Sequence, residues 1–122
     1  MQKRIMIVDD DLATRVMLRD LLERDGHEVV AEAASGDEVL ENYRKSQPDL
    51  VIMDIVLPVR NGIEVTGLLR AVDRKARIIV ISALGDIPLI KAAFASGAMD
   101  FIQKPFTPEK ILEAVQQAVA AE

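Results

Sequence analysis

Short apolar runs alternate along the chain with longer stretches in which apolar residues recur at helical spacing. Arg4 to Val8 reads as a strand buried on both faces, because four successive apolar residues leave no polar side. From Leu12 to Arg24, residues Val16, Met17, Leu18, Leu21 and Leu22 follow a helical period, and Gly26 ends the helix. Glu28 to Ala33 is a weaker second strand. Ser35-Gly36-Asp37-Glu38 has the capping-box pattern and predicts a helix to about Ser46, broken by Pro48-Asp49. Leu50 to Met53 predicts a third strand that ends at Asp54. Pro58 to Gly62 is a loop by composition, and a helix follows from about Ile63 to Asp73. Arg77 to Ile81 is the most apolar strand. Gly85-Asp86 turns the chain into a helix at about Ile87 to Ser96, stopped by Gly97. Asp100 to Gln103 is a short fifth strand. Thr107-Pro108-Glu109 starts the last helix with a capping hydroxyl, a first-turn proline and an early acid, and Ile111, Leu112, Val115 and Val119 share one face. Ala118 to Glu122 reads either as a fraying helix end or as the start of a linker.

Five strand–helix repeats with short connections predict an α/β fold: a parallel sheet with helices on both faces, in one domain spanning residues 1–122. Composition removes many functions. The chain has no cysteine, which excludes disulfides, thiol catalysis and cysteine zinc sites, and one histidine, His27, which excludes a two-histidine zinc centre. Fifteen basic against twenty acidic residues leave a net charge of −5, a poor start for wrapping nucleic acid. No apolar run approaches the roughly 18 residues that span a bilayer. The N-terminal apolar run is short and ends in three aspartates, unlike a signal peptide. The expectation is a cytoplasmic domain that binds neither nucleic acid nor membrane.

In a parallel sheet the carboxyl ends of all strands share one edge, and ligands bind there. Asp9 and Asp10 follow the first strand, Asp54 the third, Ser82 the fourth and Lys104 the fifth, whereas the second ends in Ala33 and Ala34. Two carboxylates about 5 Å apart repel by roughly 3 kcal/mol at an effective dielectric near 20. A cluster of three calls for a cation, a raised pKa or a function. Hard oxygen donors without nitrogen or sulfur favour Mg²⁺. A carboxylate, a divalent ion, a lysine and a hydroxyl are the parts of phosphoryl transfer, with one aspartate able to serve as nucleophile.

The chain resembles the CheY-like receiver domains of two-component response regulators. The resemblance covers essentially the whole chain. It rests on Val8-Asp9-Asp10, on Met53-Asp54 with Leu57-Pro58 and Gly62, on Ser82-Ala83, on Gly97-Ala98, and on Asp100-Phe101 with Lys104-Pro105-Phe106. It implies strand order 2-1-3-4-5 with five helices. It implies a phospho-acceptor signalling domain rather than an enzyme, one that assists its own phosphotransfer and its slow dephosphorylation. Asp54 is the implied phosphorylation site, the donor being a sensor histidine kinase or a histidine phosphotransfer protein. Asp10, Asp54 and the backbone carbonyl of Val56 would hold Mg²⁺, with Asp9 acting through a metal-bound water. Lys104 would pair with the phosphoryl group and Ser82 would bond one of its oxygens. Phe101 would be the switch aromatic, and the bond to Pro105 would be cis. The surface of the fourth helix, fifth strand and fifth helix would carry output to a downstream effector or to a phosphorylation-dependent homodimer. Val56 and Leu84 stand two residues after Asp54 and Ser82, where the family places side chains that help or hinder the hydrolytic water; both are apolar here, which implies slow dephosphorylation. Arg60 stands where the family often has a hydrophobic residue.

Other readings remain. A phosphohydrolase of the haloacid-dehalogenase type needs an acid two residues after the nucleophile, where this chain has Val56. A flavodoxin-type flavin module needs a hydroxyl- and glycine-rich loop where Asp9-Asp10-Asp11 stands. A receiver-like scaffold would not need the full set of Asp9, Asp10, Asp54, Ser82 and Lys104. Of the remaining features, Asp11 reads as a helix cap, His27 as a surface turn residue and the methionines as core filler. Arg70, Arg74, Lys75 and Arg77 would complement the dipole at the end of the third helix. Ile87-Pro88-Leu89-Ile90 is either core or a partner surface.

Overall fold

A computed structural model describes residues 2–120. Its elements are β1 (Arg4–Val8), α1 (Leu12–Arg24), β2 (Glu28–Ala33), α2 (Val39–Ser46), β3 (Leu50–Asp54), α3 (Gly62–Val72), β4 (Ile78–Ser82), α4 (Ile87–Ala95), β5 (Asp100–Gln103) and α5 (Pro108–Ala120). The five strands form one parallel sheet in the order β2-β1-β3-β4-β5; the strand–helix rhythm predicts the parallel sheet and the family resemblance implies the order. Element ends fall within a residue or two of the sequence reading, as fraying ends do, except that α2 begins three residues later than the Ser35 capping pattern implies.

The central strands divide their side chains between two cores. Ile5, Ile7, Leu50, Ile52, Ile79 and Ile81 face α1 and α5, where they meet Leu18, Leu22, Ile111 and Val115. Met6, Val8, Val51, Met53, Ile78 and Val80 face α2, α3 and α4, where they meet Val39, Tyr43, Val65, Leu69 and Ala93. Alternating Cβ directions make this division from strands that read as continuous apolar runs. Each fully buried Leu or Ile contributes about 1.5–3 kcal/mol. The strand residues beside the carboxyl edge, Val8, Met53 and Ile81 among them, are thus packed in the core, while the edge itself is polar.

Several expectations are corrected. On α1 only Leu18 and Leu22 are fully buried; Val16 and Met17 are exposed, because the helix meets the sheet along a narrower stripe than its apolar face. Met6 and Met53 are core, but Met17 and Met99 are exposed. The Ser35 hydroxyl makes no cap to backbone N–H; it donates to the carboxylates of Asp37 and Glu38, ahead of a 3₁₀ turn at Gly36–Glu38. The His27 side chain is only 8% exposed, and its Nδ1 accepts the Lys3 amide at 3.2 Å, so it is not a surface residue. Arg70 donates to the carbonyls of Arg74 and Ala76 just past α3, consistent with complementing that helix end. The apolar start of α4 is divided: Leu89 packs on the core, whereas Ile87 is 67% exposed. Met1 and the last two residues, on which the fray-or-linker reading partly falls, lie outside the described residues.

Candidate functional site

Register brings the polar residues together. Val8 lies opposite Met53, so Asp9 emerges from β1 beside Asp54. Asp54 pairs with Ile81, and the next residue is Ser82. Ser82 pairs with Gln103, and the next residue is Lys104. Carboxylate oxygens of Asp9, Asp10 and Asp54 all lie within 4.8 Å of one another. Asp9 and Asp54 are buried and Asp10 is exposed, so the cluster opens to solvent on one side.

Lys104 reaches into this cluster from β5. Its Nζ donates to Asp9 Oδ2 at 2.9 Å and to Asp54 Oδ2 at 3.3 Å, with the side chain 23% exposed. The ammonium is thus shared by two buried acids and stands closer to Asp9. Burial, then the field of Asp9, pushes the Asp54 carboxyl above its usual range, with Lys104 pulling the other way. For Lys104, burial works against the charge, but the hydrogen bond to Asp9 and the fields of both acids outweigh it and raise its pKa. Three acids and one ammonium leave the site electron-rich, and its all-oxygen donor set suits a hard divalent cation.

The remaining predicted residues surround these four. Ser82 is buried at the end of β4, and its Oγ accepts the Leu84 amide at 3.0 Å. The Lys104 amide donates to the Ser82 carbonyl at 2.8 Å, which ties the two strand ends together. The Val56 amide donates to Asp54 Oδ1 at 3.4 Å, while the Val56 and Leu84 side chains are 56% and 53% exposed. Phe101 is half-buried against the core beneath α4. The Lys104–Pro105 bond is cis. Gly62 has no room for a Cβ, which would overlap the Asp54 carbonyl; its N–H donates to the Ile55 carbonyl at 2.7 Å. Asp11 caps α1, accepting from the Ala13 amide at 3.3 Å and the Thr14 hydroxyl at 2.7 Å. That hydroxyl is the main reason its pKa is lowered.

Residues 5–116 match the family of response regulator receiver domains. The chain belongs to that family. The receiver is 43% identical to the chemotaxis protein CheY of Thermotoga maritima, across 96% of this chain and 98% of that protein. It is 32% identical to sporulation initiation phosphotransferase F of Bacillus subtilis, across 96% and 94%. Among solved structures it superimposes on CheY in a CheX-CheY-BeF₃-Mg²⁺ complex from Borrelia burgdorferi with a TM-score of 0.93 and 33% identity, covering 98% of this chain and 90% of that one. It is therefore the receiver domain of a two-component response regulator, and its acidic pocket fits a metal and a phosphoryl group.

Inspection of the sequence misses Arg15. Its guanidinium donates to the Asp9 carbonyl at 2.6 Å and so touches the receiver's acidic loop. The apolar rhythm of α1 draws the eye past it; the available signal is an acid, Glu32, within a strand and two arginines four residues apart in the preceding helix.

Proposed function

We propose that residues 1–122 act as one receiver unit that takes a phosphoryl group onto Asp54, with Mg²⁺ held by Asp10, Asp54 and the Val56 carbonyl and with Asp9 acting through a bound water. The observation that carries this reading is the convergence of three carboxylates within 4.8 Å, two of them bridged by Lys104 Nζ. The BeF₃ and Mg²⁺ of the Borrelia relative support it. When bound, Mg²⁺ would neutralise the acids and hold phosphoryl oxygens.

The chain's own groups do the rest. A carboxylate oxygen of Asp54 attacks the phosphorus of a phosphohistidine; an O–P bond forms, the P–N bond breaks, and the imidazole leaves. Lys104, already poised between Asp9 and Asp54, receives the new charge of roughly −1.5 to −2 as a point cation. Ser82 gives up its bond from the Leu84 amide when its hydroxyl turns to a phosphoryl oxygen. That exchange releases the loop before α4, and Phe101 beneath α4 can move inward. The exposed side chains of Ile87 and Phe94 on α4 support output through the face of α4, β5 and α5. The donor is a histidine kinase or phosphotransfer protein in the cytoplasm, and the receiver of the signal is an effector or a second phosphorylated copy. The domain acts as a phospho-acceptor rather than as an enzyme on a separate substrate.

Intact mass after incubation with acetyl phosphate, in Mg²⁺ and in EDTA, tests this. One added phosphoryl group is expected only with Mg²⁺ and only when Asp54 is present. A gain that survives Asp54→Ala overturns the choice of acceptor, and no gain under any condition overturns acceptance from a small donor.

A further inference from the structure

Glu32 is an acid at an inward position. A bulge in β2 puts it opposite Ile7, on the sheet face that α1 covers. A carboxylate there is unfavourable unless paired. Two arginines one helical turn apart on α1 meet it: Arg15 Nε lies 3.1 Å from Oε1 and Arg19 Nε 2.8 Å from Oε2. Arg19 is shared with Glu23 at 3.2 Å. Arg15, only 15% exposed, instead reaches past Glu32, and its Nη1 donates to the Asp9 carbonyl at 2.6 Å.

That carbonyl belongs to the peptide joining Asp9 to Asp10. Every other polar group of Asp9 is also engaged. Its N–H donates to the Ala33 carbonyl at 3.1 Å, its Oδ1 accepts the Asp11 amide at 2.9 Å, and its Oδ2 accepts Lys104 Nζ. Simple pairing of Glu32 would not require Arg15 to end on this carbonyl.

We propose that Arg15, braced by Glu32, is a positioning residue that sets the Asp9–Asp10 peptide plane, so that the exposed Asp10 carboxylate stands beside Asp54 before a cation arrives. This rests on reading the acid cluster as a Mg²⁺ site. It makes a sign test possible. Arg15 is a cation beside a cation site, so Coulomb's law alone has its removal tighten Mg²⁺ binding. Positioning has its removal weaken binding.

The experiment titrates Mg²⁺ calorimetrically into the unphosphorylated full chain at constant ionic strength. Arg15→Gln is expected to bind about tenfold more weakly than the parent, the usual cost of removing a group that orients a ligand. Arg15→Lys is also expected to bind more weakly, because an ammonium cannot bridge carboxylate and carbonyl as the guanidinium fork does. Since Lys keeps the charge, its metal-free ¹H–¹⁵N spectrum is expected to shift at Asp10 and Asp11 and not at Leu22, which also shows the fold intact. Equal or tighter binding by Arg15→Gln overturns the proposal while leaving the Mg²⁺ site standing. No binding by the parent chain overturns the site itself.

Discussion

Lys104→Met removes the one ammonium that bridges Asp9 and Asp54 and leaves two buried carboxylates facing each other. At 2.9 and 3.3 Å, each contact is worth about 5 kcal/mol of bare attraction at an effective dielectric near 20, before desolvation is subtracted. Breaking a buried pair costs about 3–5 kcal/mol, and because Lys104 is 23% exposed, the low end of about 3 kcal/mol applies. An unfolding entropy of about 2.1 cal/mol/K per residue turns that into a fall of roughly 12 °C in Tm for a chain of this length. The assay is thermal unfolding in EDTA at pH 8 and pH 5. Lys104 has a raised pKa in the fold, so its contribution is complete below the ordinary lysine value and is lost only as pH climbs through the raised one; both pH values lie on its plateau. Asp54 has a raised pKa too. Between the ordinary carboxylate range and that raised value the folded state holds a proton that the unfolded chain lacks, so stability falls as pH rises through that window. Without Lys104 the window extends upward, so the loss at pH 5 is expected to be smaller than at pH 8. Mg²⁺ is expected to recover part of it, by about 2.7 kcal/mol at a hundredfold excess over Kd. A variant that melts within about 3 °C of the parent at pH 8, or whose loss is the same at both pH values, would refute the reasoning.

Val56→Asn with Leu84→Glu places polar groups on two exposed positions beside Asp54 and Ser82, and phosphate loss from Asp54 is expected to quicken about tenfold or more in a decay assay. Gly62→Ala pushes a methyl into the Asp54 carbonyl; a loss of about 3 kcal/mol is expected in urea unfolding, with phosphorylation slowed. Ile87→Glu and Phe94→Glu change exposed positions of α4, so unfolding midpoints should stay within about 0.5 kcal/mol while effector binding or phosphorylation-dependent dimerisation weakens in a pull-down or by light scattering.

Much of this receiver is legible in its residues. The strand–helix rhythm, the Pro and Gly punctuation and the apolar runs place the strands and helices to within a residue or two, the start of α2 excepted, because local period and turn chemistry act over short stretches. The rule that parallel strands share a carboxyl edge then collects Asp9, Asp10, Asp54, Ser82 and Lys104 from the sequence alone. Packing decided what local pattern could not. Val16 and Met17 have the same apolar character as Leu18 and Leu22, yet only the last two meet the sheet, because a helix axis touches a sheet along one narrow line. The His27 side chain is largely enclosed, and its Nδ1 accepts the amide of Lys3, the residue before β1 and far away in sequence. Gly36 abuts the Arg60 main chain and donates to the Pro58 carbonyl at 3.1 Å, so a contact between loops took over a start that reads as a helix cap. The bulge in β2 turns Glu32 toward α1, where Arg15 meets it and also reaches the Asp9 carbonyl, contacts that no local pattern in the chain announces. The residues determined by themselves which groups lie at the sheet edge; which of those groups touch depended on register and helix docking, whose energies are summed over the whole core and belong to no single stretch of chain.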